Sequence, residues 1–253
     1  MSGKKEREKR REERLQRESE AESGERRQRL LKLAAGAAFV AIAVVAVLIV
    51  ISQSETDGGD GNLEGVAQVE DELSGITQRG LVLGDPGARV TLVEFGDLQC
   101  PVCKAAAEET LPDVIDSKVR SGEAKLDFRN FAILGPESEV AAAAAVAAGE
   151  QGRGWSFVEI FYRNQGFEGS GYVTDSFLTS IARAAEVPDI AKWNRDRRSA
   201  KAKRAVSQET TEAENLGLGG TPSYAVQGPS TAGLEPTPAV DAGDLEAAIE
   251  AAG

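Results

Sequence analysis

The sequence predicts an α/β domain that carries a helical insertion and is preceded by a single membrane-spanning helix. Three observations lead there. A strand-like run, Arg89 to Phe95, precedes Cys100-Pro101-Val102-Cys103 and a helix-like segment. A stretch without strand character, from about 136 to 217, separates the early strands from two late ones. The nineteen residues from Leu33 to Ile51 contain no charge and no strongly polar side chain.

The first 32 residues carry 12 Lys/Arg against 8 Glu and almost no apolar side chain, whereas the rest carries 17 Lys/Arg against 33 Asp/Glu. Such an arm cannot bury enough surface to offset the entropy of ordering, so it reads as solvated. The apolar run 33–51 is long enough to cross a bilayer. A secretory signal is the competing reading. Its apolar region is shorter, however, and Ser52-Gln53-Ser54-Glu55 supplies no small-residue cleavage signature. Arg26, Arg27, Arg29 and Lys32 abut one end of the run and Glu55, Asp57 and Asp60 follow the other. The positive-inside bias then puts the N-terminus in the cytoplasm and everything after Ser52 outside.

Residues 52–78 are rich in Gly, Ser, Asp and Glu and read as a flexible linker, with a weak helix at Leu63 to Leu73. The domain itself is expected over 79–253. It opens with an edge strand at Gly80 to Leu83 and a turn at Gly84-Asp85-Pro86-Gly87. In the strand from Arg89 to Gly96, Val90, Leu92 and Glu94 share one face while Thr91, Val93 and Phe95 share the other. Two apolar faces predict a central strand. Glu94 is its anomaly.

Pro101 suits the first position of a helix, whose N–H groups lack partners anyway. Val102, Ala105, Ala106, Val114, Ile115 and Val119 continue at helical spacing, and Pro112 should kink the helix. Lys125 to Phe131 alternates as a strand. The insertion reads as four helices: Glu137 to Glu150, Trp155 to Asn164, Thr174 or Asp175 to Glu186, and Ile190 to Asn215. Strand character returns at Ser223 to Gln227 and at Thr237 to Val240, and a helix from Asp244 to Ala252 closes the chain.

Cys100 and Cys103 are the only cysteines, and there is no histidine. A disulfide between them closes too short a loop to stabilise the fold much, so redox chemistry explains the pair better than stapling does. A monomeric zinc site needs four Cys or His ligands, which this chain lacks, and no other metal or cofactor is expected beyond the redox-active disulfide itself. Thiol–disulfide exchange requires a thiolate. Cys100, beside the helix start, meets free N–H groups and the positive end of the dipole, so it is assigned as an accessible attacking sulfur. Cys103, one turn inside, is assigned as the resolving one.

Without an imidazole, proton transfer falls to a carboxylate, water or the second thiol. Glu94 is the candidate: if buried, its raised pKa would let it exchange a proton with Cys103 through water. The alternative is a strand-end Glu that reaches solvent. Asp97 reads as a solvated loop carboxylate. The basic run Lys192, Arg195, Arg197, Arg198, Lys201, Lys203 and Arg204 reads as a solvated helix face, and no nucleic-acid partner is expected. Trp155, Phe157, Phe161 and Tyr162 have the spacing of core residues.

Three ordered motifs carry a resemblance. The stretch Val90 to Ile115, VTLVEFGDLQCPVCKAAAEETLPDVI, resembles the active-site segment of the DsbA-like branch of the thioredoxin superfamily. The stretch from Leu126 to Gln165 is similar to its strand and the start of its helical insert, and Gly219-Gly220-Thr221-Pro222-Ser223 to its cis-proline loop. The resemblance implies a thioredoxin fold with a helical insertion from about Gly80 onward. It matches Cys100 and Cys103 to the redox pair and Glu94 to a buried acid six residues upstream. Thr221 and Pro222 match the loop facing the sulfurs, and with Pro101 and Val102 they form the surface a substrate segment would meet.

The implied activity is thiol:disulfide oxidoreduction, with disulfides passed to unfolded or reduced exported proteins and restored by a membrane redox partner. One departure bears on direction. Strongly oxidising members often place a histidine between the cysteines, whereas Pro101-Val102 has no cation to hold a thiolate, which implies a milder oxidant. A reductase or isomerase of the same fold, or a binding module with an inert disulfide, are the other readings.

Overall fold

The computed structural model describes residues 63–239 and 241–253. The N-terminal arm, the apolar run 33–51, residues 52–62 of the linker and Val240 lie outside the described residues. Among the described residues no helix is long and apolar enough to cross a membrane.

The element order begins with α1 (Val66–Leu73), β1 (Gln78–Arg79), β2 (Val82–Leu83), β3 (Val90–Gly96) and α2 (Pro101–Glu109). A short α3 (Leu111–Val114), a π-type turn (Ile115–Val119) and β4 (Ala124–Asn130) follow. The insertion holds α4 (Pro136–Gly149), α5 (Gly154–Arg163), α6 (Asp175–Ala184), α7 (Ile190–Asp196) and α8 (Ala200–Asn215). The chain ends with β5 (Ser223–Gln227), β6 (Glu235–Thr237) and α9 (Ala242–Ala252).

One mixed sheet has the order β1-β2-β4-β3-β5-β6. β3 is central, parallel to β4 and antiparallel to β5, as its two apolar faces predict. On one face Val90 and Leu92 join a core with Phe128, Trp155, Leu245 and Ile249. On the other, Val93 and Phe95 pack with Phe131, Ala213 and Ala225. The early strand at Gly80 to Leu83 is shorter than expected and is not the edge, because Gln78 and Arg79 add a two-residue strand outside it. The last strand is centred on Pro236, where proline is tolerated at a sheet edge.

Two further expectations are corrected. Residues 66–73 are not free tether: Val69 and Leu73 are buried in the main core, so the folded body begins before residue 79. The helix expected over Ile190 to Asn215 is two, because Ser199 caps a new helix by accepting the Ala202 N–H at 3.2 Å. The kink expected at Pro112 is a break: α2 stops at Glu109, and Pro112 lies in the first turn of the short α3, which leads into the π-type turn.

The insertion packs over the sheet through α5. The Phe128 ring meets Trp155 and Tyr162 edge-on, with centroids 6.4 and 6.3 Å apart. Trp155 Nε1 donates to the Leu81 carbonyl at 2.6 Å, and Trp193 Nε1 to that of Ala144 at 2.9 Å. α4 is buried on nearly all sides, which its alanine run, Ala141 to Ala145, permits by letting neighbouring helices approach closely.

Gly154 marks the closest approach. A Cβ there would lie 2.3 Å from the Gly80 carbonyl oxygen. Gly154→Ala is therefore expected to cost about 2 kcal/mol in urea unfolding. An unchanged midpoint would show that the 78–81 turn yields instead.

Candidate active site

The redox pair sits where β3 gives way to α2, and the intervening loop is held from three sides. Asp97 accepts the Gln99 N–H through Oδ1 at 2.9 Å, an Asx turn, and its carbonyl accepts the Cys100 N–H at 2.9 Å. Its Oδ2 accepts the N–H groups of Ile133 and Leu134, at 2.9 and 3.0 Å, tying the loop to the β4–α4 connection. Asp97 is thus buried, contrary to the solvated loop carboxylate expected, because these four residues supply it with backbone donors. Gln165 Nε2 donates to the carbonyls of Leu98 and Cys100, at 2.7 and 3.2 Å, and Gln99 Oε1 accepts the Gly169 N–H at 2.9 Å. The loop after α5 is thereby drawn against the cysteines.

Cys100 is the N-cap of α2, with extended backbone, and Pro101 follows as the first helical residue. Its Sγ accepts the Cys103 N–H at 3.4 Å. Across the cleft, Thr221–Pro222 is a cis peptide bond, and the Thr221 carbonyl oxygen lies 3.3 Å from Cys100 Sγ, where it accepts the thiol proton. Cys103 is fully buried, as expected, but Cys100 is also more covered than expected, at 5 % exposure. The Thr221 carbonyl, against the sulfur, is part of that cover. Val102, at 61 %, is the exposed apolar side chain beside it.

The two sulfurs differ sharply in acidity. The Cys103 thiol, foremost, lowers the Cys100 pKa to about 6 by hydrogen bonding to the thiolate, outweighing burial; the Thr221 side chain and the N–H groups of Cys103 and Val102 add to it. The Cys103 thiol is pushed far up, chiefly by burial, then by keeping its proton in the bond to Cys100 and by the charge of Glu94. Cys100 is therefore mostly thiolate at neutral pH and Cys103 a thiol.

Glu94 is buried, with Phe128 and Tyr224 as its cross-strand neighbours. Its Oε1 has no hydrogen-bond partner, and neither has the Tyr224 hydroxyl. Burial, and secondarily the Cys100 charge, raises its pKa to about 8. The structure brings Cys100, Cys103, Glu94, Thr221 and Pro222 to one place, with Pro101 and Val102 on its rim. Among the described residues no three His, Cys, Asp or Glu side chains converge as a metal site.

A family model described as thioredoxin matches residues 77–250. A probable disulfide bond formation protein D of Bacillus cereus is 33% identical over 150 residues, covering 58% of this chain and 69% of that protein. The chain belongs to the thioredoxin family and is a relative of the disulfide bond formation D proteins. It is a thiol:disulfide oxidoreductase. Oxidised BdbD from Bacillus subtilis superposes with a TM-score of 0.60 at 22% identity, covering 69% of this chain and 95% of that one. A thioredoxin-like oxidoreductase from Silicibacter pomeroyi gives a TM-score of 0.53 at 31% identity, covering 67% and 89%.

The basic run is not one solvated face. Arg197 is buried, pairs with Asp175 at 2.6 Å and stacks over the Trp193 ring, so it is part of the insertion's packing. Gln99 and Gln165 are further residues of the site: Asp97, two residues before Gln99, carries the signal of an Asx turn, but no local pattern marks Gln165.

Glu94 has a consequence for stability. Its folded pKa, about 8, exceeds the ordinary 4.5, so its favourable protonated state is fully present below pH 4.5 and is lost as pH rises through 8. Glu94→Gln should remove that loss. Urea unfolding of the reduced protein at pH 5 and pH 9 is expected to show the variant gaining on the wild type at the higher pH; equal shifts at both would place Glu94 in contact with solvent.

Proposed function

We propose that this chain is a membrane-anchored, extracytoplasmic enzyme that donates disulfides to exported proteins through Cys100-Pro101-Val102-Cys103. The observation that carries the reading is the Cys100 sulfur at the N-cap of α2, accepting the Cys103 N–H beside the exposed Val102. The apolar run 33–51 supports the anchor, and its flanking charges support an orientation with the N-terminus in the cytoplasm. Relatives named for disulfide bond formation support the direction of transfer. The proposed scheme is a charged arm at 1–32, the anchor at 33–51, a tether and then the catalytic domain with its helical insertion.

In the forward reaction a substrate thiolate attacks Cys100 of the oxidised pair. The Cys100–Cys103 bond breaks, a substrate–Cys100 disulfide forms, and Cys103 leaves as a thiolate. Glu94, protonated at neutral pH by its buried position, gives its proton to that sulfur. A second substrate thiolate then attacks the first substrate sulfur, so the substrate leaves oxidised and Cys100 leaves as a stabilised thiolate. The low pKa of Cys100 favours this last departure. Thr221, Pro222, Pro101 and Val102 form the rim against which the extended substrate segment lies. A membrane redox partner removes the two electrons and restores the disulfide.

Cys100→Ser should abolish exchange with a reduced, unfolded substrate, and Cys103→Ser should accumulate mixed disulfides visible on non-reducing gels. Retained activity in either variant contradicts the assignment. Equilibration with a glutathione buffer tests direction: a potential near the roughly −270 mV of thioredoxin would make the same site a reductase.

A further inference from the structure

The proton that Cys103 gains or loses has no direct route to water. Cys103 is 0 % and Glu94 3 % exposed. Glu94 can hold that proton but must be recharged from elsewhere, and the same sheet face carries a second buried acid. Phe128, Glu94 and Tyr224 form a cross-strand row on β4, β3 and β5. The Phe128 ring is gripped from above by Trp155 and Tyr162 of α5. Glu159 lies one turn beyond Trp155 and one turn before Tyr162, hence on the helix face turned to that row.

Glu159 is 1 % exposed, and neither of its carboxyl oxygens has a hydrogen-bond partner. Among the described residues its one ion pair, with Arg163 of its own helix, is long at 4.0 Å. Arg163 is engaged instead by Glu72 of α1 at 2.7 Å, where the Glu72 side chain keeps 10 % exposure. The buried Arg163 Nε and Glu72 Oε1 likewise lack partners. Unpartnered buried polar atoms are rare in native proteins and ask for a reason. Here they form a series from Glu94 and Tyr224 through Glu159 to the Glu72–Arg163 pair.

We propose that Glu159 is a second proton-relay group, exchanging a proton with Glu94 through internal water and passing it toward the partly exposed Glu72–Arg163 pair. It acts through Glu94 and never on sulfur, so the inference rests on the role of Glu94 proposed above. Before Cys103 attacks a Cys100 mixed disulfide, Glu159 releases its proton outward and takes that of Glu94 through water, which leaves Glu94 as a carboxylate. That carboxylate accepts the Cys103 S–H proton as a Cys100–Cys103 bond forms and the bound thiol leaves as a thiolate; in the opposite direction every transfer reverses. The charged or titratable groups acting on Glu159 are Glu72 of α1, Arg163 of α5, Glu94 of β3 and Glu108 of α2. Tyr224 of β5 feels its charge in turn. Burial foremost, then Glu72 against the single Arg163 cation, keeps its carboxyl well above the usual range.

The test uses the reduced full-length protein and an aromatic disulfide reagent whose thiolate absorbs light. Cys100 releases the first equivalent and the attack of Cys103 releases the second. Glu159→Gln should slow the second about tenfold at neutral pH, less than the hundredfold or more of a group in direct contact with the reacting atoms. The first equivalent and its pH midpoint should not change, and Glu159→Asp should recover most of the rate. Glu94→Gln should slow the second equivalent too, and the double variant should be no slower than Glu94→Gln alone. An unchanged second equivalent in Glu159→Gln, or slowing that multiplies in the double variant, overturns the relay while leaving Glu94 in place. A normal second equivalent in Glu94→Gln removes the underlying role instead. Should Glu159→Gln not fold, Glu72→Gln at the outer end must slow the second equivalent alone, and no effect there overturns the route.

Discussion

The start of α2 at Cys100 is the constraint on which the site depends. A helix that begins there presents free N–H groups to the sulfur, places Cys103 one turn further on where its N–H and thiol both reach the same atom, and sets Pro101 where no donor is lost. The unequal acidity of two chemically identical side chains follows from that geometry. One sulfur is surrounded by donors at the helix end; the other is enclosed by the core and by a neighbouring acid.

The remainder of the domain maintains that position. Asp97 ties the loop before α2 to the β4–α4 connection, and Gln165 ties it to the insertion, so the helical insert braces the redox loop. The Thr221 carbonyl closes the third side. With that carbonyl against it, Cys100 is less exposed than an attacking sulfur was expected to be. Val102 is the rim residue left in solvent.

Much of this was legible in the residue pattern, and the part that was not has a common cause. β3 announced its central place through two apolar faces, and the helices of the insertion through periodicity and the Thr174 cap. Glu94 stood out because a carboxylate in such a strand must either reach solvent at the strand end or be buried with a role. The packing of α1, the Gln165 brace and the burial of Arg197 and Asp97 involve partners 22 to 67 residues away in the chain, and no local pattern reports them. Glu159 was hidden for the same reason. Its helix reads as amphipathic core, and only the fold turns that residue toward the sheet row of Glu94.

Titration of the thiolate absorbance in the reduced protein tests the central claim most directly. A single midpoint at about pH 6, with the second sulfur silent into the alkaline range, is the predicted result. A midpoint near the ordinary cysteine value of 9.0 would contradict it, because the start of α2 would then not be holding an anion.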